Sequence, residues 1–81
     1  MDTLPNESGV YFLFQSGNIL VYIGKAKSIQ RRIADHDRYK VFMSVGYELT
    51  HFSRARDREK QLLAQYYEEH GHQLPFYNRQ H

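Results

Sequence analysis

The chain has 81 residues, a net charge of +2 and no cysteine. This length fits one domain and leaves no room for a second, and the lack of cysteine excludes a disulfide framework and thiolate metal sites and agrees with a reducing compartment. The apolar runs are too short to span a bilayer, and the first residues, MDTLPNES, show no secretory signal. We therefore expect a soluble cytoplasmic protein with no membrane partner.

Positive charge is gathered in two segments. Residues 24–40 hold six basic residues against two acidic ones, and residues 53–60 hold four against two. Clustering of this kind is typical of a surface that binds a polyanion, but the solvated faces of ordinary helices give the same pattern. Charge alone leaves both interpretations open.

The first predicted element is a β-hairpin. Two apolar runs, GVYFLF at 9–14 and ILVYIG at 19–24, flank the polar residues 15–18. With a two-residue loop, Tyr11 and Tyr22 share one face of the hairpin, either directly opposite or offset diagonally, whereas a loop of odd length would separate them. Two neighbouring phenols can be a buried aromatic pair or part of a site.

A short helix over residues 27–37 follows, with Ser28 as its N-cap. Ile29, Arg32, Ile33 and His36 lie at helical spacing and share one face. A guanidinium on that face is suited to a phosphate or a carboxylate, although its stem could equally lie along apolar surface with the charge in water.

Residues 38–46 carry no clear pattern, and residues 47–52, YELTHF, alternate in polarity as a third strand does. A long helix is predicted over 54–70, capped by Ser53 and ended by Gly71. Residues 74–78 should be extended and packed back on the sheet. The predicted fold class is α+β, in the order β-β-α-β-α, with flanking helices on a small three-stranded antiparallel sheet.

One carboxylate interrupts the pattern of the long helix. Glu59 lies on or beside the apolar stripe made by Ala55, Leu62, Leu63 and Tyr66. A carboxylate there has an unfavourable desolvation cost unless it is paired with a base or bound to a metal. The sequence leaves the ion pair and the metal site open.

Two tripeptides on the hairpin carry a family resemblance. They read Gly9-Val10-Tyr11 and Tyr22-Ile23-Gly24, and the chain thereby resembles the GIY-YIG nucleases, with valine in place of isoleucine in the first tripeptide. Residues 22–32, YIGKAKSIQRR, are most similar to the UvrC excinuclease branch of that family. In that branch a lysine and an arginine occupy the places of Lys25 and Arg32.

The second half of the chain extends this resemblance over residues 9–78. The metal-binding glutamate of the family opens the pattern E-x-x-L-[LI]-x-x-Y, which residues 59–66 match. Its late asparagine follows a proline by three residues, as Asn78 follows Pro75, although residues 67–74 lengthen the stretch before them. His36 stands where some branches have histidine and others tyrosine.

The resemblance implies that residues 1–81 form one nuclease domain that hydrolyses DNA phosphodiester bonds with an in-line water. Glu59 would hold one divalent ion, Mg²⁺ or Mn²⁺, and Arg32 would neutralise the phosphate oxygens. Tyr11, helped by Tyr22 or Lys25, would accept the proton of the water, and nearby cations could lower the pKa of its phenol. Which of these three residues is the base stays open. The candidate catalytic residues are Tyr11, Tyr22, Lys25, Arg32, His36 and Glu59, and the candidate nucleic-acid contacts are Lys25, Lys27, Arg31, Arg32 and Asn78.

Alternative functions remain at this point. The same fold could bind nucleic acid without cutting it, or the tyrosines could form a protein-binding surface. A histidine metal site would use His51, His70, His72 and His81, but their spacing does not match common zinc sites. The sequence leaves open whether the substrate is duplex, branched or nicked DNA or RNA. It also leaves open the pathway, whether repair, phage, mobile element or restriction, and the oligomeric state.

Overall fold

The computed structural model describes residues 4–36 and 41–79. Its elements are β1 (Gly9–Gln15), β2 (Ile19–Ala26), α1 (Ile29–His36), β3 (Ser44–Leu49), α2 (Phe52–Glu69) and a closing 3₁₀ helix (Phe76–Arg79). The three strands form an antiparallel sheet in the order β2-β1-β3. The predicted α+β class and the β-β-α-β-α order are confirmed. Within the described ranges, the helices are too short or too polar to cross a membrane.

The hairpin loop holds three residues, not two. Gln15 pairs with Ile19 across it, and the turn is made by Gly17 and Asn18, whose φ values are +83° and +58°. Glycine and asparagine are the residues that tolerate this left-handed backbone best. An odd loop by itself would place the two hairpin tyrosines on opposite faces.

A register shift in the hairpin returns the two tyrosines to the same face of the sheet. Leu13 pairs with Tyr22, but the next residue of β1 pairs with Leu20, so Val21 is an extra residue on β2. Beyond the bulge, Tyr11 pairs with Gly24. Both tyrosines therefore share one face with a diagonal offset, as the sequence predicted, although the loop prediction behind it was wrong.

The two helices lie on opposite faces of the sheet. On one face α1 buries Ile29 and Ile33 against Tyr11 and its neighbours. On the other, Lys25 and Glu48 both pair with Val10 and so share its face. Each of these two charged residues is contacted by a side chain of α2, so α2 covers that face. The hairpin is therefore covered on both sides, as its apolar pattern predicted.

The start of α1 agrees with the sequence. The backbone N–H of Arg31 donates to Ser28 Oγ at 3.3 Å, which is the contact an N-cap makes. The last predicted position, residue 37, and part of the unassigned segment 38–46 lie outside the described residues.

The boundaries of β3 and α2 differ from the prediction. β3 runs from Ser44 to Leu49, because Gly46 continues the strand under two phenylalanine side chains, where a glycine gives no apolar signal. Ser53 is not the cap of α2. His51 takes that position, and its Nδ1 accepts the backbone N–H of Ser53 at 3.2 Å.

The end of α2 follows the prediction, and the tail follows it in part. Gly71 has a φ of +63°, and the N–H of His72 donates to the carbonyl of Tyr67 at 2.8 Å, which is the hydrogen bond of a Schellman C-cap. The tail packs back on the sheet, but as a 3₁₀ helix rather than an extended segment, with the N–H of Asn78 bonded to the carbonyl of Pro75.

Candidate active site

Three aromatic side chains meet on the α1 face. Tyr11, Tyr22 and His36, here called the aromatic triad, have ring centroids 5.9, 5.4 and 5.0 Å apart. Tyr11 is fully buried, and its Oη lies 2.5 Å from His36 Nε2. The expected tyrosine pair is thus part of the buried core and also part of a polar cluster.

Gly24 allows the triad to assemble. It lies opposite Tyr11 in the sheet, and a Cβ at this position would come within 2.5 Å of Tyr11 Oη and 2.7 Å of Tyr22 Cε2. Such distances are far inside van der Waals contact. The last residue of the second tripeptide is therefore glycine because the phenol of Tyr11 crosses the strand there.

Arg32 joins the triad from α1 and bears on the protonation state of Tyr11. Hydrogen-bonding and charge interactions with the Tyr11 phenol raise the pKa of Arg32. Burial raises the pKa of Tyr11 well above its usual range, Tyr22 adds to the rise, and Arg32 offsets only part of it. Of the groups expected to lower this pKa, Arg32 does lower it, but desolvation of the phenol outweighs the effect of that cation. The phenol of Tyr11 therefore keeps its proton and shares a hydrogen bond with His36 Nε2.

Lys25 and Glu59 form an ion pair on the α2 face. Lys25 Nζ lies 3.8 Å from Glu59 Oε1, and the two side chains are 39% and 18% exposed. Lys25 directly follows Gly24 on β2, which is an edge strand. The carboxylate on the apolar stripe thus has a basic partner, as the ion-pair interpretation expects, and the metal role of Glu59 stays a prediction.

A cationic cleft of about 430 Å³ lies at this edge. Its walls come from β2, the β2–α1 connection, α1 and the first residue of α2. It brings together Lys25, Lys27, Arg31 and Arg32, four of the five predicted nucleic-acid contacts, and its other lining residues are Ala26, Ser28, Asp35 and Phe52.

The fifth predicted nucleic-acid contact, Asn78, hydrogen-bonds to the backbone of strand β2. It is buried, its Oδ1 accepts the N–H of Ile23 and its Nδ2 donates to the carbonyl of Ile23, each at 2.9 Å. The amide takes the place of a neighbouring strand for the middle residue of the second tripeptide. The sequence indicated this asparagine by resemblance only, because backbone pairing by a distant amide leaves no local pattern.

Glu59 is the carboxylate on which a metal site would depend. Among residues 4–36 and 41–79, no three histidine, aspartate or glutamate side chains are grouped to hold an ion. A single half-buried carboxylate beside an open cleft fits Mg²⁺ or Mn²⁺, which take oxygen ligands and retain several waters. The donor set therefore fits one weakly held divalent ion, for which Glu59 would have to leave Lys25.

The histidines outside the triad are engaged elsewhere. His51 caps α2, while His70 stacks on Tyr66 and His72 on Tyr67 with centroid distances of 3.7 and 5.1 Å. His81 lies outside the described residues. These contacts give His51, His70 and His72 structural roles.

Sequence reasoning missed Phe52. Its ring lines the cationic cleft, and Lys27 Nζ lies 5.0 Å from the ring centroid. In the sequence, Phe52 ends the alternating pattern of residues 47–52, which predicts a strand. No local signal therefore marks it as the first residue of a helix beside the basic residues.

The amino-acid sequence of this chain matches known proteins. Residues 7–72 match the GIY-YIG catalytic domain. Among curated relatives, proteins named UvrABC system protein C are 31% identical over 70 residues in Christiangramia forsetii, 37% over 65 in Helicobacter pylori and 42% over 40 in Fervidobacterium nodosum. These matches cover 78%, 80% and 49% of this chain but only 12%, 10% and 7% of the relatives. The chain thus corresponds to a small part of their length.

Proposed function

Because the chain belongs to the GIY-YIG family of catalytic domains, we propose that it cuts DNA phosphodiester bonds in the cationic cleft and moves the proton through the aromatic triad. Its enzyme class, a GIY-YIG-type endonuclease, follows from the family. The observation that carries the proposal is the contact of Tyr11 Oη with His36 Nε2 at 2.5 Å, on a phenol whose pKa Arg32 also influences.

Tyr11 acts in this proposal as a relay. Its phenol is a poor base by itself, since burial raises its pKa. With His36 Nε2 at 2.5 Å, Tyr11 can pass its own proton to the imidazole while it takes one from the attacking water, so no free phenolate forms. The hydroxide forms a bond to phosphorus and the bond to the leaving oxygen breaks. Tyr22 keeps both rings in place.

Arg32 and Lys25 supply the positive charge for the transition state. Both line the cationic cleft, where they can donate to the non-bridging oxygens as charge develops on them. Arg32 also interacts with the Tyr11 phenol, so the group that would bind the phosphate would also orient the group that activates the water. We propose that this interaction sets the alignment of water and phosphorus.

Glu59 would hold one divalent ion, which when bound supplies charge stabilisation for the phosphate and the leaving oxygen. Until then, the ion pair with Lys25 holds the carboxylate at the edge of the cleft. For Asn78 we propose a positioning role in place of a nucleic-acid contact. Its amide holds Ile23, between the two residues of the tripeptide that shape the triad.

DNA as the substrate, and an intracellular role such as repair, are proposed from the names of the relatives and from the cationic cleft. The main alternative is a binding module of the same fold that has lost activity. Against it, each of the predicted catalytic residues is present, and the three members of the triad form one contacting group on which Arg32 acts electrostatically.

A nicking assay tests the proposal. Supercoiled plasmid is incubated with Mg²⁺, with Mn²⁺ and with a chelator, using wild type, Glu59→Gln and Arg32→Lys. We expect nicking only with a metal ion, and a loss of about 100-fold or more in each variant. Glu68→Gln is the matched control, because this carboxylate is 73% exposed on the same helix, and it should nick as wild type does. Metal-independent nicking, or full activity of Glu59→Gln, would refute the metal role, and no nicking by folded wild type would favour the binding module.

A further inference from the structure

An aromatic ring stands in the cationic cleft without a role in the proposed chemistry. Phe52 is 39% exposed although it is a phenylalanine, and it borders the same open space as Lys27 and Arg31. Single exposed apolar residues are common on protein surfaces and by themselves mean little. Here the ring lies among cations, at the wall of a cleft, which is a combination found where proteins bind single-stranded nucleic acid.

The neighbours of Phe52 match the two parts of a nucleotide. Its ring offers a flat apolar surface to a base. Lys27 Nζ lies over this ring, 5.0 Å from its centroid, so a base that stacks on that face takes the place of the ammonium, which moves aside toward the phosphate. Arg31 lines the same cleft, so a phosphate beside the stacked base would meet one or both cations. Asp35, the acidic residue of the lining, acts electrostatically on Arg32. The volume of about 430 Å³ lies within the range of small-ligand sites.

We propose that the cleft holds one unpaired nucleotide next to the bond to be cut, with its base stacked on Phe52 and its phosphate bound by Lys27 and Arg31. The inference rests on the proposed function, since it takes nucleic acid as the substrate. A base inside an intact duplex is already stacked and must first be extruded. The domain therefore prefers DNA with an unpaired nucleotide, at a flap, a branch or a frayed nick, over continuous duplex.

The test measures binding in chelator, so that no cutting occurs. A flapped oligodeoxynucleotide carries the fluorescent adenine analogue 2-aminopurine at the first unpaired position, and the duplex control carries it at a paired position. We expect wild type to quench the fluorescence of the flap, and to bind the flap more tightly than the duplex. Phe52→Leu should lose the quenching and bind the flap about fivefold or more weakly, since base–aromatic stacking is sequence-independent and strong.

Two further variants separate stacking from other effects. Phe52→Trp keeps an aromatic surface and should quench as wild type does. Phe76→Leu removes a phenylalanine that is 51% exposed outside the cleft and should change nothing. Thermal melting verifies that each variant is folded.

Equal quenching by wild type and Phe52→Leu, or equal affinity of wild type for flap and duplex, would overturn the stacking site. Wild-type nicking of plasmid with Mg²⁺ alongside such a result would leave the nuclease proposal intact. Conversely, quenching that depends on Phe52 without any nicking would support the nucleotide site and refute the catalytic function.

Discussion

Tyr11 is a buried core side chain that also has a part in the proposed chemistry. It is fully buried beneath α1, yet its oxygen lies 2.5 Å from His36 Nε2. A buried hydroxyl without partners would destabilise the fold. The hydrogen bond that satisfies it is the same one that connects the phenol to the imidazole in the proposed relay.

The raised pKa of Tyr11 predicts a loss of stability in alkali. The unfolded chain releases this proton above a pH of about 10, whereas the native state retains it, so the unfolded state then binds fewer protons. Stability from this group is complete below pH 10 and falls by about 1.4 kcal/mol per pH unit above it. Urea unfolding of wild type and Tyr11→Phe between pH 8 and 11 measures the difference. The gap between the two proteins should narrow as the pH rises, and a constant gap would contradict the burial argument.

Gly24 predicts a large effect from one methyl group. In Gly24→Ala the new Cβ would overlap Tyr11 Oη and Tyr22 Cε2, so both rings must shift and the bond to His36 breaks. We expect plasmid nicking to fall about 100-fold or more. Gly46→Ala is the matched control in another strand of the sheet, because its Cβ would meet Phe14 at an ordinary 3.4 Å. Nicking by Gly24→Ala at the rate of Gly46→Ala would show that the triad geometry is unimportant.

At the scale of elements, β2 is the strand on which the site depends and also an edge of the sheet. An edge strand exposes unpaired backbone groups. The 3₁₀ helix at residues 76–79 supplies hydrogen-bond partners for one residue of this edge, because the Asn78 amide pairs with both backbone groups of Ile23. This helix thus holds the centre of the second tripeptide.

Asn78→Ala tests this attachment of the 3₁₀ helix to β2. It leaves the N–H and C=O of Ile23 without partners in a buried place, which should lower the free energy of unfolding by about 2–4 kcal/mol. Urea denaturation measures the loss, and the nicking rate should fall with it because β2 loses its support. Gln73→Ala, an exposed amide in the preceding loop, should leave stability within about 0.5 kcal/mol. Wild-type stability of Asn78→Ala would show that water replaces the amide at no cost.

At the scale of the whole molecule, the sheet separates the two helices, but side chains from both helices lie near its β2 edge. Arg32 and His36 come from α1 on one face, whereas Glu59 comes from α2 on the other. Lys25 lies where the faces meet, pairs with Glu59 and lines the cationic cleft with Arg32. A phosphate in this cleft would be within the field of all four clustered cations.

This clustering predicts the salt dependence of DNA binding. Four cations line the cleft, so the logarithm of the duplex binding constant should fall with the logarithm of salt concentration with a slope of about −3 to −4. Lys27→Gln should reduce the slope by about one. Lys60→Gln, an exposed cation on α2 that is not part of the cleft lining, should leave it unchanged. Fluorescence anisotropy at several salt concentrations measures these slopes. Equal slopes for both variants would show that DNA binding is spread over the surface of the protein.

Most elements were predictable, because each rests on local patterns. The hairpin, the Ser28 cap and the end of α2 at Gly71 follow from turn residues and apolar spacing. The errors fall where the local signal is absent or misleading. Gly46 continues β3 beneath phenylalanines of β1, and the imidazole of His51 caps α2 although Ser53 is the more usual residue for a cap.

The sequence by itself determined which residues are candidates for the site, since the two tripeptides, Arg32 and Glu59 match the family pattern in type and spacing. Only the tertiary structure decided the protonation of Tyr11, the pairing of Glu59 with Lys25, the attachment of Asn78 to Ile23 and the place of Phe52 in the cleft. The physical reason is that desolvation, ion pairing and backbone pairing depend on distances between segments that are remote along the chain. Local periodicity carries no information about those distances.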